Sequence, residues 1–217
     1  MDPNSFRMFM AASDSGLVLP AIGAAFQGGY YAGSISQNAD GTATHALIVC
    51  DKDKEVSRQF KTTQTSTTGT DSTYDGASNT TSMDDSSHPA AQYCAGLSTG
   101  GYSDWYLPAL YELEIAYYNL KPSTDSNNTS FGSNSFAVPA RASNYTTSDP
   151  GQTSVSIFQA GGDANESFDT DSATYRYWTS TQESATDAYG IRFTDGRQVT
   201  NGKTLTRSVR PFRKVAL

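Results

Sequence analysis

Two apolar periods run through the chain. The first is helical: Leu110, Leu113, Tyr117 and Leu120 recur three or four residues apart and make one apolar face. Pro108 suits the first turn of such a helix, where its missing N–H costs nothing; Lys121 complements the C-terminal dipole and Pro122 ends it. The spacing predicts a helix over 108–121, entered through a glycine turn at Gly100-Gly101 and a short aromatic strand. Trp105, at that junction, is placed to fill the space between a sheet and this helix. A shorter helix is predicted over 87–97, with Ser87 as its cap and Pro89 early in its first turn.

The second period is that of strands. Residues 27–36 read as a strand with glycines where something packs closely, Asp40-Gly41 as a hairpin turn, and 44–50 as the returning strand. Near the end, 175–181 reads as a strand, and Tyr189, Ile191 and Phe193 alternate along 187–194. Asp195-Gly196 and Asn201-Gly202 are turn signals, with 197–200 between them and a closing strand over 204–215 that Pro211 interrupts. This predicts an antiparallel meander. The long polar stretches 61–87 and 122–174 lack either period; Phe131, Phe136, Val138, Val155, Ile157 and Phe158 are anchors that can pin the second one. Strand pair, two helices, loops and meander make an α+β domain over 27–217.

Residues 1–26 differ from the rest. Two apolar patches, Phe6, Met8, Phe9 and Met10, then Leu17, Val18 and Leu19, are separated by Ser13-Asp14-Ser15-Gly16. They read as an arm that either packs on its own domain or anchors the chain in a partner.

Composition narrows the function. Charged residues are 17% of 217, so Ser, Thr, Asn, Gln and Gly carry the polar surface, as on extracellular binding proteins. The net charge of −7 argues against a general nucleic-acid binder. No apolar run is long enough to span a membrane, and the first residues lack the pattern of a secretory signal, so the protein is expected either to have lost a signal or to leave its cell by another route. Cys50 and Cys94 read as buried thiols, with one disulfide as the alternative.

A series of motifs then appears in order: Gly28-Gly29-Tyr30 with Ala46-Leu47-Ile48-Val49; Gly100-Gly101-Tyr102-Ser103-Asp104-Trp105-Tyr106-Leu107-Pro108 with Glu112-Leu113; Tyr177-Trp178-Thr179-Ser180; Phe193 with Gly196; and Val209-Arg210-Pro211-Phe212-Arg213. Together they resemble the C-terminal domain family of bacterial collagen-like adhesins, which also occurs in phage and surface proteins. The resemblance covers about residues 27–214 and departs at Ala109, where the family often has Thr, and in the long Ser/Thr-rich loop. It implies a C-type-lectin-like fold, related to that of the formylglycine-generating enzyme, with the N- and C-terminal strands paired, two flanking helices and long loops on one side.

The chemistry points to binding. No phosphate loop, nucleophile elbow or HExxH helix is present, and the cysteine pair of the enzyme relatives has no counterpart after residue 94. No catalytic residue is therefore assigned. Calcium is the one metal the sequence offers oxygens for: Asp163, Asn165, Glu166 and Asp169, with Asp171, are hard ligands, although they match no specific loop motif and also read as a solvated acidic loop. Arg192, Arg197, Lys203, Arg207, Arg210, Arg213 and Lys214 crowd the C-terminal segment; pairing with the acidic loop is the favoured reading, an anionic-glycan site the other. The expected ligand face is the loops plus the meander: Trp178, Gln182, Glu183, Arg192 and Arg197, with Trp178 equally at home in a core. The resulting expectation is a phage virion surface protein, a tail-fibre or spike tip or a capsid decoration. It would be held to other virion proteins by its N-terminal arm and would present a host-binding domain for a surface glycan or protein. A bacterial cell-surface adhesin domain is the alternative, and an enzyme of the formylglycine-generating type is disfavoured. A homo-oligomer remains open, although no heptad repeat supports a fibre trimer.

Overall fold

The structure, a computed structural model, describes residues 17–161, 166–170 and 176–217. In chain order the elements are β1 (Ala25–Phe26), β2 (Gly29–Ile35), β3 (His45–Val49), β4 (Val56–Gln59), α1 (Gly76–Thr81), α2 (Pro89–Ala95), α3 (Leu110–Leu120), β5 (Ala137–Val138), β6 (Tyr177–Gln182), β7 (Asp187–Ile191), β8 (Gln198–Gly202), β9 (Thr206–Val209) and β10 (Phe212–Ala216). The architecture is mixed α+β, built on two sheets with few helices.

The first sheet runs β1-β2-β3-β10, with β5 also on β2, and every pairing is antiparallel. Segments from both ends of the chain thus share one sheet, but β2 and β10 are not partners: they lie on either side of β3, where Val49 faces Tyr30 and Phe212. The second sheet runs β4-β9-β6-β7-β8. Here the expected meander is corrected. β6, β7 and β8 follow one another as predicted, but the chain then returns to the far side of β6, where β9 makes a parallel contact at Tyr177 and Ser208 and pairs with β4. Asn201 and Gly202 belong to β8, and the chain turns one step later, with Leu205 N donating to Gly202 O. Pro211, expected to mark a bulge or edge, lies where the chain leaves the second sheet at Val209 and enters the first at Phe212.

Arg210 occupies that crossing with 1% exposure. Its guanidinium donates to Cys50 O (2.7 Å), to Glu166 Oε2 (2.8 Å) and to Glu166 O (3.2 Å), lies 3.6 Å from Glu55 Oε2, and covers the Phe168 ring. Each of its three nitrogens thus has an acceptor, as a buried charge requires.

β3 alternates between two cores. Leu47 and Val49 face the main one, shared with Leu113, Tyr117 and Leu120 of α3 and with Tyr177, Ile191 and Phe212. Ala46, Ile48 and Cys50 face the other way, onto Tyr31 and Trp105. Trp105 therefore does not fill the gap between sheet and α3; it covers the opposite face of the sheet. A third cluster holds Phe60, Met83, Cys94, Leu107, Trp178 and Val209. Both cysteines are free and buried, and burial pushes the Cys50 thiol up to about 12.

The helices also differ from expectation at their starts. Pro108 precedes α3, whose cap is Ala109, and the cap of α2 is His88 rather than Ser87, whose hydroxyl donates to Asp85 instead. The Ser/Thr-rich stretch contains α1, capped by Asp75 through Ser78 N. Glu112, fully buried, accepts from Ala109 N (2.8 Å) and Gly76 N (3.1 Å) through one oxygen and from Tyr106 Oη (2.9 Å) through the other, so a single carboxylate serves the starts of α3 and α1. Burial pushes that carboxyl up to about 7. Gly76 is obligatory there, since an added Cβ would lie 2.5 Å from Ala109 N.

The boundary expected at residue 26 moves. β1 pairs with β2, and Leu19, Ile22 and Phe26 pack against the Trp105 cluster. Of the described part of the leader, Leu17 and Val18 stand out, 41% and 85% exposed. Phe6, Met8, Phe9 and Met10 lie outside the described residues.

Candidate functional site

The residues expected on the ligand face separate into three places. Trp178 is corrected to a core residue: it is 1% exposed, its Nε1 donates to Arg58 O at 3.0 Å, and its ring meets Phe60 edge-on. Its face is not available to a ligand. Gln182 and exposed Glu183 lie at the β6–β7 turn, and Gln182 Oε1 already accepts from Thr67 N (2.8 Å) and Lys203 Nζ (2.5 Å). Arg192 and Arg197 lie at the other end of β7, about 13 Å along the strand. The structure brings these two together and leaves the others apart.

Arg192 and Arg197 line a cleft of about 300 Å³ with Arg176, Gln198, Val199 and Thr200. Arg176 was not expected. It immediately precedes β6, and because Tyr177 pairs with Ile191, the antiparallel register sets Arg176 opposite Arg192. That pairing was the only signal in the sequence that could have found it.

The turn carrying Arg197 is held firmly. Gly196, at φ 73°, takes a left-handed conformation, and an added Cβ would lie 2.3 Å from the Tyr117 ring. Gly196 N donates to Arg192 O (2.8 Å), Arg192 N to Arg197 O (3.0 Å) and Asn128 N to Asp195 O (2.8 Å). The Asp195 carboxylate is clasped by Arg192 through both oxygens, Nε to Oδ1 at 2.8 Å and Nη2 to Oδ2, and Oδ1 also accepts from Arg197 N at 3.2 Å.

The cations beside it have no carboxylate partner among the described residues. Arg176 Nη1 donates to Asn201 Oδ1 at 2.8 Å, and Arg207 approaches the same oxygen through Nε and Nη2 at 3.4 Å. Burial, and then the charge of Arg176, hold Arg207 below its usual range. The exposed Arg197 guanidinium has no acidic partner among the described residues, and the carboxylate in contact with this group of arginines is that of Asp195. Of the other cations of the C-terminal segment, Arg210 pairs with Glu166 of the acidic loop as the structural reading expected, whereas Arg213 pairs with Asp104 and Lys214 with Asp75, both outside that loop.

Of the expected calcium ligands, the two that the structure describes are engaged elsewhere. Asp163 and Asn165 lie outside the described residues. Glu166 Oε2 accepts from Arg210 and from Lys52 N (2.7 Å), and Asp169 pairs with Lys52 Nζ at 2.9 Å. Both carboxylates are thus committed to cations of the chain, and among the described residues no group of three His, Cys, Asp or Glu is placed to hold a metal ion.

Another polar cluster orders the long loop after β4. Thr67 Oγ1, His88 Nε2, His88 Nδ1 and Asp85 Oδ1 follow one another at 2.8 and 2.9 Å, the order of hydroxyl, imidazole and carboxylate. Lys61 Nζ donates to the same hydroxyl at 2.8 Å, and His88 is 3% exposed. The group ties the loop to α2. Lys61 and Lys203 both donate to Thr65 O, and burial, with Lys61 beside it, pushes Lys203 down to about 8.

No helix among the described residues is long and apolar enough to cross a membrane. No protein-family model matches the chain, and a search of curated proteins gives no significant match.

Proposed function

We propose that this chain is a non-enzymatic virion surface protein, a fibre or spike tip or a capsid decoration. It presents a C-type-lectin-like domain to a glycan or protein on the host surface. The observation that carries this reading is the arginine cleft at the β7–β8 turn: three arginines with one paired carboxylate among the described residues, on a firmly held turn, in a chain whose net charge is −7. A fixed turn with small polar neighbours is suited to recognition, because little order has to be gained on binding. The exposed Leu17 and Val18, just outside the sheet, support attachment to a larger particle through the leader.

The test is binding of the fluorescently labelled protein to a panel of bacterial cells. Wild type is expected to bind at least one strain, and the charge reversal Arg197→Glu to abolish that binding with the fold intact by circular dichroism. Undiminished binding by Arg197→Glu would remove the cleft from the receptor site. Display of the same chain on bacterial surfaces, with no particle containing it, would favour the adhesin alternative.

A further inference from the structure

The cleft has a chemical imbalance that its surroundings do not correct. Among the described residues, two buried side-chain polar atoms lack a hydrogen-bond partner, Arg176 Nε and Asn201 Nδ2. Both are donors, and both belong to the group around the cleft. Asn201 cannot correct this by turning its amide over, because its Oδ1 already accepts from Arg176. Two guanidinium groups, Arg176 and Arg207, converge on that one neutral oxygen. Like charges brought to a shared neutral acceptor repel each other, and a buried donor without an acceptor costs free energy. What the group lacks is an acceptor carrying negative charge.

The geometry can supply the rest. With Nη1 spent on Asn201 and Nε sealed from solvent, Arg176 keeps Nη2 for an anion. Arg197 adds an exposed guanidinium without an acidic partner. Asp195 would oppose an anion, but both its oxygens are engaged by Arg192. Gln198, Val199 and Thr200 complete the lining of the cleft. A volume of about 300 Å³ is at the small end of ligand clefts and fits a terminal sugar unit.

We propose that this cleft binds the carboxylate or sulfate of an acidic sugar, with Arg176 and Arg197 holding the anion. The proposal rests on the receptor-binding reading above and names its ligand chemistry. The full-length protein is titrated by calorimetry at low salt with 3′-sialyllactose, a sulfated disaccharide, neutral lactose and inorganic sulfate. One or both acidic sugars bind and lactose does not. Arg197→Gln weakens binding about tenfold, Arg176→Gln at least as much, and Arg58→Gln, the same charge change on β4, leaves it unchanged. Added salt weakens the wild-type interaction.

The proposal is overturned if neither acidic sugar binds, if Arg58→Gln loses as much as Arg197→Gln, or if inorganic sulfate binds as tightly as the sugars. Arg197 is exposed, so its variant reports on binding even if Arg176→Gln fails to fold. Cell binding that persists while every acidic sugar is ignored defeats the ligand chemistry and leaves the receptor reading standing. Acidic-sugar binding at the cleft with Arg197→Gln still coating cells normally defeats the receptor reading and leaves the anion site standing.

Discussion

Arg210 and Arg176 are the same residue type in the same acidic chain, and their surroundings are opposite. Arg210 lies at the crossing between the sheets, where Cys50 O, Glu166 and Glu55 surround its guanidinium. Arg176 lines the β7–β8 cleft, with one neutral oxygen shared with Arg207 and no acceptor for its Nε among the described residues. In the sequence the basic residues of the C-terminal segment form one group. In the fold, acceptors sort them: where acceptors match donors the charge holds the structure together, and where donors are left over the charge is available to something outside the chain.

The comparison is broken most severely at the crossing. Arg210→Ala leaves Glu166 without its buried counter-charge and Glu55 with Lys52 alone, and is expected to cost about 3–5 kcal/mol, read as a large shift of the urea midpoint. A loss below about 1 kcal/mol would mean that the carboxylates find water or other partners and that the crossing is not held by charge.

A smaller effect is expected at Lys203, a buried cation without a carboxylate in hydrogen-bond reach; Lys61 opposes its charge and Asp187 favours it. Its pKa is pushed down to about 8 in the fold from 10.5, so between those values the unfolded chain binds more protons and the stability contributed by this group rises with pH. Lys203→Met removes that rise. Denaturation of both proteins from pH 7 to 10.5 measures it, and parallel curves would show that Lys203 stays charged throughout.

The smallest effect on stability belongs to the cleft. Arg197→Gln is expected to change stability by no more than about 0.5 kcal/mol, because its exposed guanidinium gives up no protein partner. A melting temperature lowered as far as that of Arg210→Ala would erase the distinction between the two clusters.

Local pattern made much of this fold readable. The apolar stripe Leu110, Leu113, Tyr117 and Leu120 is buried as its period requires, and the alternation of β7 and the paired strands β2 and β3 follow from the residues themselves. Features that depend on distant partners were not readable. β4 has no apolar alternation in Val56-Ser57-Arg58-Gln59 and exists because β9 pairs with it. α1 is built from Gly76-Ala77-Ser78-Asn79-Thr80-Thr81, poor helix formers, and is secured by the Asp75 cap and by a carboxylate from α3. Asn201-Gly202 looks like a turn, yet the Asn201 side chain is spent on Arg176 and Arg207 and the residue stays in β8. At the candidate site Arg192 and Arg197 were legible because they flank a turn signal. Arg176 was not, since its role appears only once the strand register is known.

The pairing of β10 with β3 bears on how the protein is made. Val49 emerges in synthesis well before Phe212, which opens the strand that flanks it. Until then the Leu47 and Ile48 faces of the first sheet lack one of their two neighbours, so the domain cannot close before residue 212 has been made. A nascent chain stalled before residue 212 should therefore be protease-sensitive throughout.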